Sequence, residues 1–124
     1  MTVRGIRGAI TVEKNEAEMI MAVTRELLLA ILDANPTLRV PDIASAVFTV
    51  TDDLDAVHPA KAARELGWVN TPLMCAREIP VSGSLALCIR VLLHWNTTIS
   101  AEKVQHIYLK NAETLRPDLM KFRV

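Results

Sequence analysis

Leu87-Cys88-Ile89-Arg90-Val91-Leu92-Leu93 is apolar at every position but one. A run of this kind, apolar on both faces of the pleat, predicts a strand with neither face open to water. The exception is Arg90. A guanidinium stays charged at any working pH and is almost never fully buried without a partner. The strand therefore needs a carboxylate, from the protein or from a ligand. Glu78 is the nearest in sequence, at the end of the apolar segment Leu73-Met74-Cys75-Ala76-Arg77-Glu78. The two runs are linked by the turn-rich Ile79-Pro80-Val81-Ser82-Gly83-Ser84-Leu85. A structural ion pair inside a sheet and an anion site in a dry pocket account for these residues equally well.

The flanking sequence supplies the rest of a sheet. Residues 3–12 alternate, with Ile6, Ile10 and Val12 on one pleat face beside Arg4 and Gly8. Arg7, Ala9 and Thr11 share the other face with Gly5, where Arg7 is either an exposed charge or a pocket arginine. Asn15 with Glu18 predicts a helix start, the asparagine as its cap. Ile20, Val23, Leu27 and Ile31 carry that helix to Ala34 as a core stripe, and Asn35-Pro36 stops it. After a loop at Pro41, in which Asp42 is placed to cap a short turn, residues 46–51 are rich in β-branched side chains and predict a second strand. A helix follows over residues 59–66, with Pro59 suited to its start and Gly67 to its end. Lys61 and Arg64 share a face of it, with His58 just before; the cluster reads first as a solvated face and second as an anion site. Further strands are predicted over residues 72–79, 87–95 and 106–109, the last carrying Tyr108. Strict alternation sends Cys75 and Glu78 to opposite faces, so a site using both requires the strand to bulge or end between them. No repeat or linker interrupts the chain, which predicts a single domain over residues 1–124.

Composition narrows the function. A chain of 124 residues that is 51 % apolar has a high surface-to-volume ratio, so part of its apolar surface should meet another subunit. Its 14 basic and 14 acidic residues cancel, which argues against a nucleic-acid-binding face. No stretch approaches the ~20 apolar residues of a membrane span, and Met1-Thr2-Val3-Arg4-Gly5 has no apolar signal core. Cys75 and Cys88 are too few for a disulfide scaffold and lack metal-ligand spacing, which predicts reduced thiols in a cytoplasmic protein without a metal. Thr51-Asp52-Asp53-Leu54-Asp55 reads as turn and capping carboxylates rather than a cation site. There is no nucleophile elbow, Gly-rich phosphate loop or dinucleotide fingerprint. Cys75 as a nucleophile with His106 as its base has no local signature either. What remains is a set of cations, Arg7, Lys61, Arg64, Arg90 and Arg116, with Glu78 and Tyr108 interspersed. Such a set suits a small anionic substrate whose reaction needs orientation and electrostatic stabilisation more than proton transfer.

The strings Arg4-Gly5-Ile6-Arg7-Gly8-Ala9, Pro59-Ala60-Lys61-Ala62-Ala63-Arg64, Cys88-Ile89-Arg90-Val91, His106-Ile107-Tyr108-Leu109 and Leu115-Arg116-Pro117-Asp118-Leu119 closely resemble the monofunctional AroH-type chorismate mutases. The resemblance keeps the motif order over nearly the whole chain and is weakest in the first helix and over residues 36–41. It implies an α+β subunit, a five-stranded mixed sheet with helices on its outer side. It also implies a homotrimer whose sheets pack into a barrel-like core, with active sites between neighbouring subunits. The implied activity is that of an isomerase: chorismate rearranges to prephenate on the way to phenylalanine and tyrosine, with no cofactor and no covalent intermediate. Matched by position, Arg90 would stabilise the ether oxygen, and Arg7 and Tyr108 would hold the side-chain carboxylate. Glu78 and Cys75 would bind the ring hydroxyl, with Glu78 also orienting the arginines. Arg64, Lys61 and Arg116 would line the mouth near the ring carboxylate, with Ala60, Leu73, Met74 and Leu115 as walls. His58 is a departure, standing where the family usually has phenylalanine, and it bears on packing at the mouth. The competing readings are a non-catalytic trimeric protein that binds and senses small carboxylates, and an imine or enamine hydrolase of similar architecture. Retention of Arg7, Glu78, Arg90 and Tyr108 together argues against the first, and the matching mouth residues argue against the second.

Overall fold

The computed structural model describes residues 1–116. Its strands are β1 (Thr2–Thr11), β2 (Ile43–Val50), β3 (Leu73–Arg77), β4 (Cys88–Thr97) and β5 (Ile107–Leu109), and its helices are α1 (Ala17–Ala34) and α2 (Ala60–Glu65). The strands form one mixed sheet in the order β3-β2-β4-β1-β5. The apolar run that holds Arg90 is its central strand, antiparallel to both β1 and β2. β3 runs parallel to β2 and β5 parallel to β1. This is the α+β, five-stranded mixed sheet that the resemblance implied.

Both helices lie on one face. Ile20, Val23, Leu27, Leu28 and Ile31 recur at helical spacing on α1 and are buried against Ile6, Ile10, Ile89 and Leu93 of the sheet. Gly8 allows the approach: a Cβ there would lie 2.9 Å from Ile31 Cδ1 and 3.2 Å from Leu27 Cδ1. Asn35 ends α1 as expected, and more is tied to it than a helix stop. Its side-chain amide donates to the carbonyls of Ile31 (2.9 Å) and Gln105 (3.0 Å), and its Oδ1 accepts the Gln105 N–H at 2.9 Å. α2 ends at Gly67, whose φ of 97° is the left-handed conformation that favours glycine.

Two predicted caps are corrected. Asn15 does not cap α1, which begins after Glu16 with no side-chain cap bond. Its Oδ1 instead accepts the N–H groups of Asp55 (3.1 Å) and Ala56 (3.0 Å), and its amide donates to Asp55 Oδ1 at 2.7 Å. Two turn donors satisfy that oxygen better than one helix N–H. Asp42 is the last residue of a 3₁₀ segment, Val40–Asp42, rather than its cap. The acidic run does serve a turn: the Asp53 carboxylate accepts the Leu87 N–H, at 3.0 Å to Oδ2.

The opposite face of the sheet departs from expectation. Ile89, Val91, Leu93 and Trp95 are buried toward the helices, but Leu92 on the other side is 38 % exposed, and nearby Met74 is 64 % exposed. Within one chain the central strand therefore has one face open, because α1 and α2 pack on the same side. Among the described residues only a terminal 3₁₀ segment, Lys110–Leu115, closes over part of the bare face, packing on Ala9, Cys88 and Tyr108. No helix among the described residues is long and apolar enough to cross a membrane.

Candidate active site

The period-2 geometry of the sheet gathers a polar cluster on the bare face. Arg90 stands opposite Ala9 of β1 and Thr49 of β2, and Arg7 stands opposite Leu92. Tyr108 pairs with Ala9 from the other side. Arg7, Glu78, Arg90, Tyr108, Leu115 and Arg116 line one cavity of about 380 Å³.

Glu78 reaches that cavity because β3 stops one residue before it. Its N–H donates to the Val50 carbonyl at 2.8 Å, and its Oε2 accepts the Thr49 hydroxyl. The same oxygen lies 3.7 Å from Arg90 Nε, an ion pair but longer than a hydrogen bond. Arg90 Nε is buried and has no hydrogen-bond partner among the described residues. A buried charged donor left without an acceptor is costly, so the arrangement favours an incoming oxygen. Beside it, burial pushes the Cys88 thiol above its ordinary range, against the pull of the Arg90 guanidinium. A thiol shifted in that direction stays protonated and is a poor nucleophile.

The remaining sequence candidates lie elsewhere in the chain. Cys75 pairs with Phe48 and packs against the helix-side core, so Cys75 and Glu78 occupy opposite faces, as alternation required. With His58, Cys75 lines a second cavity of about 390 Å³. Lys61 borders an open groove of about 460 Å³ between α1 and α2, where Arg25 and Glu65 pair at 3.7 Å. That groove is larger than the Arg90 cavity, but among the described residues it holds no buried side-chain donor without a partner. Ala60 is buried, Arg64 is exposed, Leu73 faces the core, and Met74 is exposed on the bare face. Within one chain Cys75 and His106 do not meet as nucleophile and base, since β3 and β5 are opposite edges of the sheet. Four strand spacings, roughly 19 Å, separate those edges. Pro117, Asp118 and Leu119 of the last motif lie outside the described residues.

Two residues at the site were not foreseen in these roles. Thr49 reads in sequence only as a β-branched strand former, and its position opposite Arg90 depends on a register that sequence spacing does not contain. His106 accepts the Arg7 backbone N–H through Nδ1 at 3.0 Å.

A family model described as chorismate mutase type I matches residues 3–119. Among curated relatives, the chorismate mutase AroH of Thermus thermophilus is 53 % identical over 117 residues, covering 94 % of this chain and 96 % of the relative. The chorismate mutase AroH of Bacillus subtilis is 43 % identical over 120 residues, covering 96 % of this chain and 94 % of the relative. A solved structure of a chorismate mutase from Clostridium thermocellum superposes with a TM-score of 0.86 at 49 % identity, covering 89 % of this chain and 97 % of that one. The likeness runs through every strand that positions Arg90 and its neighbours, and this chain belongs to the type I chorismate mutase family.

Proposed function

We propose that this chorismate mutase, an isomerase, converts chorismate to prephenate through the Arg90 cavity, with Arg90 as its transition-state group. The observation that carries the reading is the buried Arg90 Nε with no acceptor among the described residues, beside a carboxylate held by Thr49. In the rearrangement the ether C–O bond breaks as a C–C bond forms, with electrons moving round one ring of atoms. No proton leaves and no covalent bond to the protein is needed. Negative charge grows on the ether oxygen as the C–O bond stretches, and a fixed guanidinium binds that oxygen better in the transition state than in the substrate. Arg7 and Tyr108 would hold the side-chain carboxylate and select the compact conformer, and Glu78 would take the ring hydroxyl and orient Arg90. Arg116 and Leu115 would form the mouth.

The residues found away from this cavity, His58, Ala60, Lys61, Arg64, Leu73, Met74 and Cys75, would come from a neighbouring copy. The bare sheet face, with Leu92 and Met74 exposed, supports a homotrimer whose sheets face one another and whose sites lie between chains. The chain would act as one domain in the cytoplasm, without a nucleic-acid or membrane partner. A non-catalytic carboxylate-binding role is not favoured. Purified protein mixed with chorismate should remove the substrate's ultraviolet absorbance and yield prephenate; binding without conversion would overturn the reading.

A further inference from the structure

Arg7 reaches the cavity from β1, which has β4 along one side and only the short β5 along the other. The parallel ladder with β5 begins at the Gly8–Ile107 pair, one residue too late to hold Arg7. The Arg7 N–H nevertheless finds an acceptor on that side, because the His106 ring places Nδ1 3.0 Å from it. The imidazole thus adds one rung to the ladder at a residue whose side chain enters the site. Its own backbone starts from a fixed point, since Gln105 is bonded through both N–H and carbonyl to the buried Asn35 amide.

We propose that His106 is a positioning residue for Arg7, and that the acceptor at its Nδ1 keeps the Arg7 guanidinium aimed into the cavity. This rests on the reading of Arg7 as a substrate ligand. An imidazole accepts at Nδ1 only as the neutral, Nε2-protonated tautomer. The surroundings favour that form: burial first, then the Arg7 and Arg116 guanidiniums, push His106 below the usual imidazole range. The charged groups on the elements around it are Arg4 and Arg7 of β1, Glu18, Arg25, Glu26 and Asp33 of α1, and Lys110, Glu113 and Arg116 after β5, and those acting on the ring are Arg7 and Arg116. Glu26 is itself paired with Lys110 at 3.8 Å. A proton on Nδ1 would set donor against donor and add a further positive charge beside Arg7. The rung is therefore intact with the ring neutral and is lost as pH falls through the lowered His106 value.

The test is steady-state kinetics with chorismate between about pH 5 and pH 8, the range in which an imidazole changes charge. Wild type, His106→Ala, His106→Asn and Arg7→Ala are compared, with thermal unfolding measured alongside. His106→Ala should lower kcat/KM at neutral pH roughly three- to tenfold, the effect of one neutral hydrogen bond. Asparagine offers an acceptor near the Nδ1 position without titrating. His106→Asn should keep neutral-pH kcat/KM within about twofold and lose the part of the acid decline that wild type owes to the ring. A role confined to stability would lower the unfolding temperature and leave the acid limb in place. The inference is overturned if His106→Ala keeps wild-type kcat/KM while Arg7→Ala is severely impaired, or if His106→Asn declines in acid as wild type does. Arg7→Ala with unchanged kcat/KM would overturn the assignment of Arg7 itself.

Discussion

Several cations reach the cavity, but among the described residues Arg90 alone brings a buried side-chain donor with no acceptor. Loss of a single preorganised donor of this kind typically costs about 3–4 kcal/mol, or on the order of 10²–10³ in rate. Arg90→Ala should lose at least that much, chiefly in kcat. Arg90→Lys should also be poor, because a point charge cannot span an ether oxygen and a carboxylate as a planar fork does. Arg116→Ala should raise KM and spare kcat. Steady-state kinetics on folded variants decides, and near-wild-type kcat in Arg90→Lys would mean another group stabilises the transition state. Thr49 belongs to the same argument one bond further out, since its hydroxyl donates to the carboxylate that faces Arg90. Thr49→Val keeps the shape and removes the donor, so kcat/KM should fall about tenfold, the lower range for a hydrogen bond to a charged group. Thr49→Ser should retain most of the activity; equal losses in the two would point to packing rather than the hydroxyl. Arg90 and Glu78 are legible in sequence because charge in an apolar run is conspicuous. Thr49 is not, because threonine is ordinary in a strand.

At the scale of elements, the join between α1 and β5 is made by one buried side chain. Asn35 bonds the Ile31 carbonyl at the end of α1 and both backbone groups of Gln105 before β5. Asn35→Ala would leave buried partners unsatisfied, at about 2–4 kcal/mol in total. The thermal midpoint should fall on the order of 10 °C for a domain of this size. Calorimetry or circular dichroism measures this directly, and an unchanged midpoint would show that water replaces the amide. Most elements are readable from period, β-branched content and end signals: the α1 stripe, the helix closed by Gly67 and all the strands appear with ends displaced by a few residues. What period does not carry is the order of strands. Cys75 and His106 look equally near Arg90 in sequence, yet they sit on opposite edges of the sheet. Asn15 misleads for a related reason, because its better partners, Asp55 and Ala56, lie far along the chain.

For the whole molecule, composition and structure converge on incompleteness. The chain is 51 % apolar, the run 87–93 of its central strand is apolar but for Arg90, and one face is left open with Leu92 and Met74 exposed. The residues that the resemblance assigns to the mouth are meanwhile divided between separate regions of the chain. A closed ring of copies would cover the face and bring the Arg90 half of one chain to the Lys61–Arg64 half of the next. That arrangement makes a prediction that sedimentation alone does not test. Arg90→Ala removes the transition-state group of one half-site and the double variant Lys61→Ala/Arg64→Ala removes the capture residues of the other, so each preparation by itself should have a low kcat/KM. When the two chains are co-expressed in equal amounts, a complete site needs an intact Arg90 from one variant beside intact Lys61 and Arg64 from its neighbour. Random assembly in a cyclic trimer gives that pairing at about a quarter of the interfaces. Roughly a quarter of wild-type kcat/KM should therefore return, since the rebuilt sites are chemically complete. If all the residues of a site belonged to one chain, mixing would restore nothing, and activity that stays at the level of the separate variants rules out a site shared between copies.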